Sequence, residues 1–434
     1  MPHNGNGKLK EKKLVLVYPT FPSGLFACVS PGLLAVAAHA ARYDPEIAVQ
    51  LWDERLDGEF DPSIAMGALV GITTMTAQAP RAKRIAERAI EAGAAGIVFG
   101  GIHPTVCPEE FEHLGAVVHG EIEGGSFDQV LADYLNGRPL AQTYHTPLHS
   151  LEDLPLAPQT LYDYAERMYD QMISDARGCP FGCSYCSIHI ISGNKIRHRP
   201  IDDVIAEMRA RKFLDGTRDA QITFTNDAFG FKPQDRQLLE RVRAELDGKP
   251  FKWLTQIGLR PLGDDSFLEL VNSVGTAKLI IGVESPFRDG LASEKNGIQN
   301  LDPAAIFAKL RQYPNIHTRL LLMLGFDFEP SDAFERMIEF IKQVHPDGVY
   351  LSILTPFPGT KIGDKMEAEN RLYHKSWGLY DTRHLVFERH YQRSNGTIGV
   401  MPPHEFAAGF QWLVQEAESE MSKWSRFEDK SRVL

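Results

Sequence analysis

Three cysteines fall within eight residues, in the stretch Arg177-Gly178-Cys179-Pro180-Phe181-Gly182-Cys183-Ser184-Tyr185-Cys186. Thiolates at this C-x3-C-x2-C spacing, on one glycine-bearing loop, can ligate three corners of a cubane iron–sulfur cluster and leave the fourth iron open to a substrate. A structural zinc site would need a fourth ligand, and His189 and His198 are the nearest candidates. The tight proline, the two glycines and the lack of a second knuckle favour the cluster.

The rest of the composition fits that chemistry. The chain has five cysteines in 434 residues, an odd and small set that argues against a disulfide framework and for metal in a reducing compartment. No signal-peptide pattern and no run of about 18 apolar residues is present, so a cytoplasmic protein without a membrane span is expected. Lys and Arg total 46 against 57 Asp and Glu, a formal charge of −11. The only basic cluster is the short run from Lys8 to Lys13, which speaks against a nucleic-acid partner.

Stepping along the chain, five short apolar runs precede the cysteines: Lys13 to Tyr18, Ile47 to Trp52, Ala68 to Ile72, Gly96 to Phe99 and Ala116 to Val118. Between the third and fourth, Ala82, Ile85, Ala86, Ala89 and Ile90 recur at helical spacing and Gly93 stands at the C-terminal cap position. This predicts an α/β fold beginning with a doubly wound parallel sheet over residues 1–137. Ligands of such sheets sit beyond the carboxyl strand ends, here Thr73-Thr74, Gly100-Gly101 and Gly120-Glu121. Residues 138–172 read as a connection. A helix is predicted after Pro200, with Val204, Ile205 and Met208 on its apolar stripe. Strand-like runs at Gln221 to Thr225, Lys252 to Gly258, Ala277 to Val283, Thr318 to Leu324 and Gly348 to Leu354 then predict an α/β barrel, or part of one, over 173–375. Residues 376–434 read as a helical cap. Trp377, Tyr380, Phe387 and Tyr391 suit core packing or an apolar binding surface.

The cysteine motif, with aromatic Tyr185 before the last cysteine, resembles that of the radical S-adenosylmethionine (SAM) superfamily. The resemblance implies a partial (β/α)6 barrel in which a 4Fe-4S cluster chelates SAM and, on one-electron reduction, yields a 5′-deoxyadenosyl radical that removes hydrogen from an unactivated carbon. Ile280-Ile281-Gly282-Val283-Glu284-Ser285 is similar to the later barrel strand whose polar end approaches SAM, which implies Glu284 and Ser285 as cofactor contacts with Tyr185 and Gln256. A salt-bridging role for Glu284 remains the alternative. Thr225-Asn226-Asp227-Ala228-Phe229 departs from the Gly-Gly-Glu pattern of many members, and Asn226 and Asp227 stand as the contacts to the SAM amino group.

The first 137 residues resemble the cobalamin-binding, Rossmann-like domain that precedes the barrel in one branch. The pieces that carry this are Val70 to Thr76, Phe99 to Thr105 and Val118 to Gly124, and Thr355-Pro356-Phe357-Pro358-Gly359-Thr360 extends the likeness towards the C-terminus. It implies cobalamin held by Thr73, Thr74, Gly100, Gly101, His103, Gly120 and Glu121, or a domain that keeps the fold without the cofactor. Small residues at these ends would let backbone approach a flat corrin. The Asp-x-His-x-x-Gly motif is absent, so no protein histidine is expected below cobalt, and His103 is a poor substitute. Cys28 and Cys107 read as buried packing thiols, or as hydrogen donors facing the cavity. The implied activity is C-methylation of a small-molecule or lipid-like substrate, with an electron donor such as flavodoxin or ferredoxin. Radical cyclisation, oxidation or rearrangement without methyl transfer, and a non-catalytic cluster or corrinoid sensor, are the alternatives.

Overall fold

In the computed structural model, which describes residues 12–22, 29–295 and 301–424, the apolar runs of the first unit become parallel strands. Except in Ala48–Asp53 at the sheet edge, most of their side chains are buried on both faces, which is why they lack period-two alternation. The strands are β1 (Lys13–Tyr18), β2 (Ala48–Asp53), β3 (Leu69–Thr73), β4 (Gly96–Gly100), β5 (Ala116–His119) and β6 (Thr143–His145). They form one parallel sheet in the order β2-β1-β3-β4-β5-β6. The Ala79–Glu91 helix buries Ala82, Ile85, Ala86 and Ala89, but Ile90 lies exposed. Gly93, at φ +85°, ends it by donating its N–H to the Ile90 carbonyl.

Two units divide the chain, Met1–Met168 and Tyr169–Leu434. Much of the stretch expected as a connection packs onto the first. β6, Thr-Tyr-His, has no apolar run, and only Tyr144 of its three residues is buried. Leu161, Tyr162 and Ala165 of the Gln159–Ala165 helix enter that unit's core, and the Tyr164 hydroxyl bonds Asp57.

The second unit opens on β7 (Asp170–Ile173), a four-residue strand not anticipated from sequence. The two-residue strands β8 (Ala176–Arg177) and β9 (Arg197–His198) then pair antiparallel and bracket the cysteine segment. β10 (Gln221–Phe229), β11 (Lys252–Ile257), β12 (Thr276–Glu284), β13 (Ile316–Leu324) and β14 (Gly348–Ile353) complete a parallel six-stranded sheet, in the order β14-β13-β12-β11-β10-β7. One face of it is the core shared with the helices. Towards the other point the less buried alternates Thr223, Thr225, Asp227, Gln256, Ile280 and Gly282. The C-terminal part adds the hairpin β15 (Arg389–Gln392) and β16 (Ile398–Met401) and the Pro403–Met421 helix, which packs Phe406 against Phe334 with ring centroids 5.5 Å apart. Trp377, Tyr380 and Phe387 are buried, so they serve packing.

Trp253 on β11 is fully buried between Phe224 and Phe229, and its indole N–H donates to the Val274 carbonyl at 2.7 Å. Trp253→Ala is expected to cost about 3–5 kcal/mol in urea unfolding, because it removes a large side chain and leaves a cavity. A cost below about 1 kcal/mol would contradict this packing role.

Candidate active site

Backbone contacts shape the cysteine loop. Gly178 adopts φ +90°, and a Cβ there would lie 2.3 Å from the Lys195 carbonyl oxygen, so only glycine fits. Its N–H donates to Asp227 Oδ2 at 3.1 Å. The Cys179 N–H donates to Gly193 O at 3.3 Å, the Ser184 N–H to Glu294 O at 2.8 Å, and Ile362 N–H to Ser184 O at 3.0 Å. The Ser184 hydroxyl also bonds the Glu294 carboxylate.

On this loop Cys179, Cys183 and Cys186 are all half-buried and unbridged. Burial pushes the Cys179 thiol up and the Cys186 thiol up to about 11, and Cys183 raises both further because the three would share negative charge. A metal reverses that balance, since a coordinating thiol loses its proton. Three thiols converging from one loop fit three irons of a 4Fe-4S cluster. His198, considered for a fourth zinc ligand, is instead engaged with Asp235, Nε2 to Oδ1 at 3.0 Å.

Glu284 closes β12 just past a register shift, at φ +67°, a conformation that a non-glycine residue holds at a cost of about 1–2 kcal/mol. Its Oε1 accepts from Lys295 Nζ at 2.9 Å, and the same ammonium donates to Gly282 O at 2.7 Å. Glu284 Oε2 is buried with no hydrogen-bond partner among the described residues. The salt bridge and an acceptor for a ligand ammonium are therefore both present on one side chain. Tyr185 packs edge-on to Phe326, and burial together with Glu284 and Cys183 drives its phenol pKa strongly upward. Ser285 is fully buried and its hydroxyl accepts from the Phe287 N–H, whereas Gln256 is exposed on the face away from the core. Lys295 was not legible in the sequence. It follows a four-residue helix, Arg288–Leu291, and no periodicity ties it to Glu284.

Asn226 and Asp227 are neighbours with different tasks. Asp227 supports the cysteine loop through Gly178. Asn226 is buried and spends its amide on Asp235 Oδ1 at 2.8 Å and Asp175 Oδ2 at 3.3 Å. Asp235 also accepts from the N–H groups of Gly230 and Lys232. Asp175 follows β7 and is fully buried, with Oδ1 unpartnered among the described residues. Burial, then the nearby Asp235, push its carboxyl up to about 7.

In the first unit, the carboxyl strand ends come together as expected. The Thr74 N–H donates to Gly100 O at 2.8 Å, and the His103 N–H to Thr74 O at 3.2 Å. Gly101, at φ +100°, approaches Thr74 so closely that a Cβ would lie 2.8 Å from its oxygen. The Gly120 N–H donates to Thr105 Oγ1 at 3.2 Å, Glu121 is buried, and Thr73 is half-buried. Two features fit a corrin: a Cβ on Gly100 would meet open space, and the buried Thr74 hydroxyl has no partner among the described residues. His103 is fully buried and Cys107 nearly so, the two lying beside Glu110, while Cys28 lies outside the described residues.

Residues 173–361 match the model of the Radical SAM superfamily. The chain is 30% identical to the bacteriochlorophyllide d C-12(1)-methyltransferase of Chlorobaculum tepidum, over 87% of this chain and 83% of that protein. It is 24% identical to the hopanoid C-2 methylase of Rhodopseudomonas palustris, over 79% and 65% respectively. The fold is similar to that of the radical SAM methyltransferase TsrM of Kitasatospora setae, solved with cobalamin and a [4Fe-4S] cluster, at a TM-score of 0.68 and 15% identity, covering 98% of this chain and 91% of that one.

The raised carboxyl of Asp175 has a measurable consequence. Between its unfolded value near 3.8 and its folded value of about 7, the native state holds a proton that the unfolded chain has released. Its stability contribution is thus full below the unfolded value and is lost as pH rises towards 7. Asp175→Asn removes that dependence, so its stability relative to the parent should improve by about 1.4 kcal/mol per pH unit from pH 5 to 7 and level off above, read by chemical denaturation. A difference independent of pH would refute a protonated Asp175.

Proposed function

The chain belongs to the radical SAM superfamily, and on that premise we propose that it is a cobalamin-dependent methyltransferase, placing a methyl group on an unactivated carbon of a small-molecule or lipid-like substrate. The observation that carries this is the 30% identity to a bacteriochlorophyllide d C-12(1)-methyltransferase, which extends over 87% of the chain and so spans both units. When bound, the cluster and SAM supply a hydrogen-abstracting radical and the corrin supplies the methyl group.

The chain's own residues hold and orient these groups. Cys179, Cys183 and Cys186 would bind three irons, on a loop held in place by Asp227 and Glu294. Glu284 would accept the SAM ammonium on Oε2, while Lys295 neutralises the other oxygen and offers a cation to the SAM carboxylate. Tyr185 and Phe326 form an aromatic wall beside the last two cysteines. Gln256, exposed on the open face of β11, would meet a ligand there. In the first unit, the Thr74 hydroxyl and the open space above Gly100 would receive a corrin amide, with Thr73, Gly120 and Glu121 around it. The sequence lacks the Asp-x-His-x-x-Gly motif that would supply a histidine to cobalt.

A one-electron donor such as flavodoxin or ferredoxin, in the cytoplasm, completes the scheme. Among the described residues no helix is long and apolar enough to cross a membrane.

The test is metal content after anaerobic reconstitution with iron, sulfide and hydroxocobalamin. About four irons per chain are expected, lost when all three cluster cysteines become Ala. Stoichiometric cobalt retained through gel filtration is expected as well. Iron without cobalt would overturn methyl transfer in favour of a corrinoid-free radical reaction. Zinc in place of iron at the loop would overturn the cluster itself.

A further inference from the structure

A second set of metal-ligating side chains lies in the first unit. We propose that His103, Cys107 and Glu110 form a binding site for a zinc-type divalent cation. The inference is independent of whether the protein binds cobalamin.

Local geometry brings the three together. One turn of the Ile102–Val106 helix separates His103 from Cys107, whose N–H donates to the His103 carbonyl at 2.9 Å. Pro108 then turns the chain, and the Glu110 N–H donates back to Cys107 O at 3.3 Å. As a result one ligand atom from each side chain lies within 4.8 Å of the others. His103 Nε2 and Glu110 Oε2 are 3.8 Å apart. Tetrahedral zinc with bonds of about 2.0–2.3 Å holds its ligand atoms roughly 3.3–3.8 Å apart, so only small side-chain adjustments are needed.

The donor set selects the metal. A thiolate, an imidazole and one carboxylate suit zinc, whereas magnesium and calcium take oxygen ligands. Thiolate and carboxylate together cancel the charge of a divalent ion. Lys83 Nζ, which donates to Glu110 Oε2 at 2.6 Å, then stands as the outer partner that orients the carboxylate. His103 is fully buried with its ring edge-on to Phe111, and the Cys107 side is closed too, which excludes water from two sides. The Glu110 side chain is 22% exposed and gives a way in for the ion and for a water in the fourth position.

Such a site would clamp the segment that follows β4. That segment begins with Gly101 and His103, whose backbone closes against Thr74, so the metal would stiffen the strand-end turn.

The test separates this site from the cysteine loop. Full-length protein with iron and sulfide restored, no corrinoid, and zinc added is passed through gel filtration, and its metals are measured. About one zinc per chain is expected beside the iron. Cys107→Ser should lose zinc and keep iron, and Cys179→Ala should lose iron and keep zinc. Cobalt(II) in place of zinc should give a thiolate-to-metal charge-transfer band that Cys107→Ser abolishes. Should Cys107→Ser not fold, Glu110→Gln at the partly exposed carboxylate is the alternative, expected to weaken zinc at least about 10-fold. Zinc absent from the parent protein, or held equally by the Glu110→Gln variant, overturns the proposal. Zinc that leaves with Cys179→Ala rather than with Cys107→Ser also overturns it, because it then belongs to the cysteine loop.

Discussion

The second unit depends on one constraint: three thiols must converge from a single loop. Nothing in the loop's own sequence supplies that force, since burial and mutual charge raise Cys179 and Cys186 and would keep them protonated without metal. The loop is therefore shaped from outside. Gly178 accepts a contact with the Lys195 and Ser192 carbonyls that any Cβ would forbid. Asp227 comes from β10, Glu294 from the segment after β12, and Ile362 from the segment after β14. Three separate parts of the sheet thus meet at one ten-residue stretch, and the loop geometry is a property of the whole unit.

Legibility from sequence follows the same division. Lys13–Tyr18 declared itself as a strand because burial on both faces leaves an unbroken apolar run, and Ala277 to Val283 because a mostly apolar run of seven residues alternates buried and half-buried positions. β6 and β7 did not, for Thr-Tyr-His and Asp-Gln-Met-Ile are short and half polar and so show no apolar run. The cysteines were legible because ligand spacing is local. Asp175 and Lys295 were not, since a buried carboxyl and a paired ammonium take their roles only from tertiary neighbours. Asn226 and Asp227 make the point most sharply. Adjacent in sequence and similar in chemistry, they fall on opposite faces of β10, one spent on buried carboxylates and the other on the cysteine loop.

Across the second unit, polar and strained groups gather where the parallel strands end. β10 shifts register between Phe224 and Phe229, β12 between Gly282 and Glu284, and β13 runs out into Gly325 at φ +122°. Within a ladder each N–H meets a neighbouring carbonyl, but past the last pair the backbone needs other acceptors. Asp235 serves Gly230 and Lys232, and Glu329 serves Gly325. Glu329 is fully buried, and burial lifts its carboxyl to about 7 although Arg389 donates to it at 2.9 Å.

This explains why chemistry can be sited there without building a separate apparatus. Carboxylates are already required at the strand ends to satisfy orphaned backbone donors, and in Glu329 burial already raises the affinity for a proton. Glu284 differs from Asp235 and Glu329 in one respect. Its Oε1 meets Lys295 and it accepts no backbone N–H among the described residues, while its Oε2 is buried and uncommitted, as Oε1 of Glu329 also is. A structural acceptor with spare capacity, pressed into a left-handed conformation at the end of its strand, is what a cationic ligand needs. The step from scaffold to binding site is then the replacement of a backbone donor by a side-chain cation, a change of one residue's partner and not of the fold.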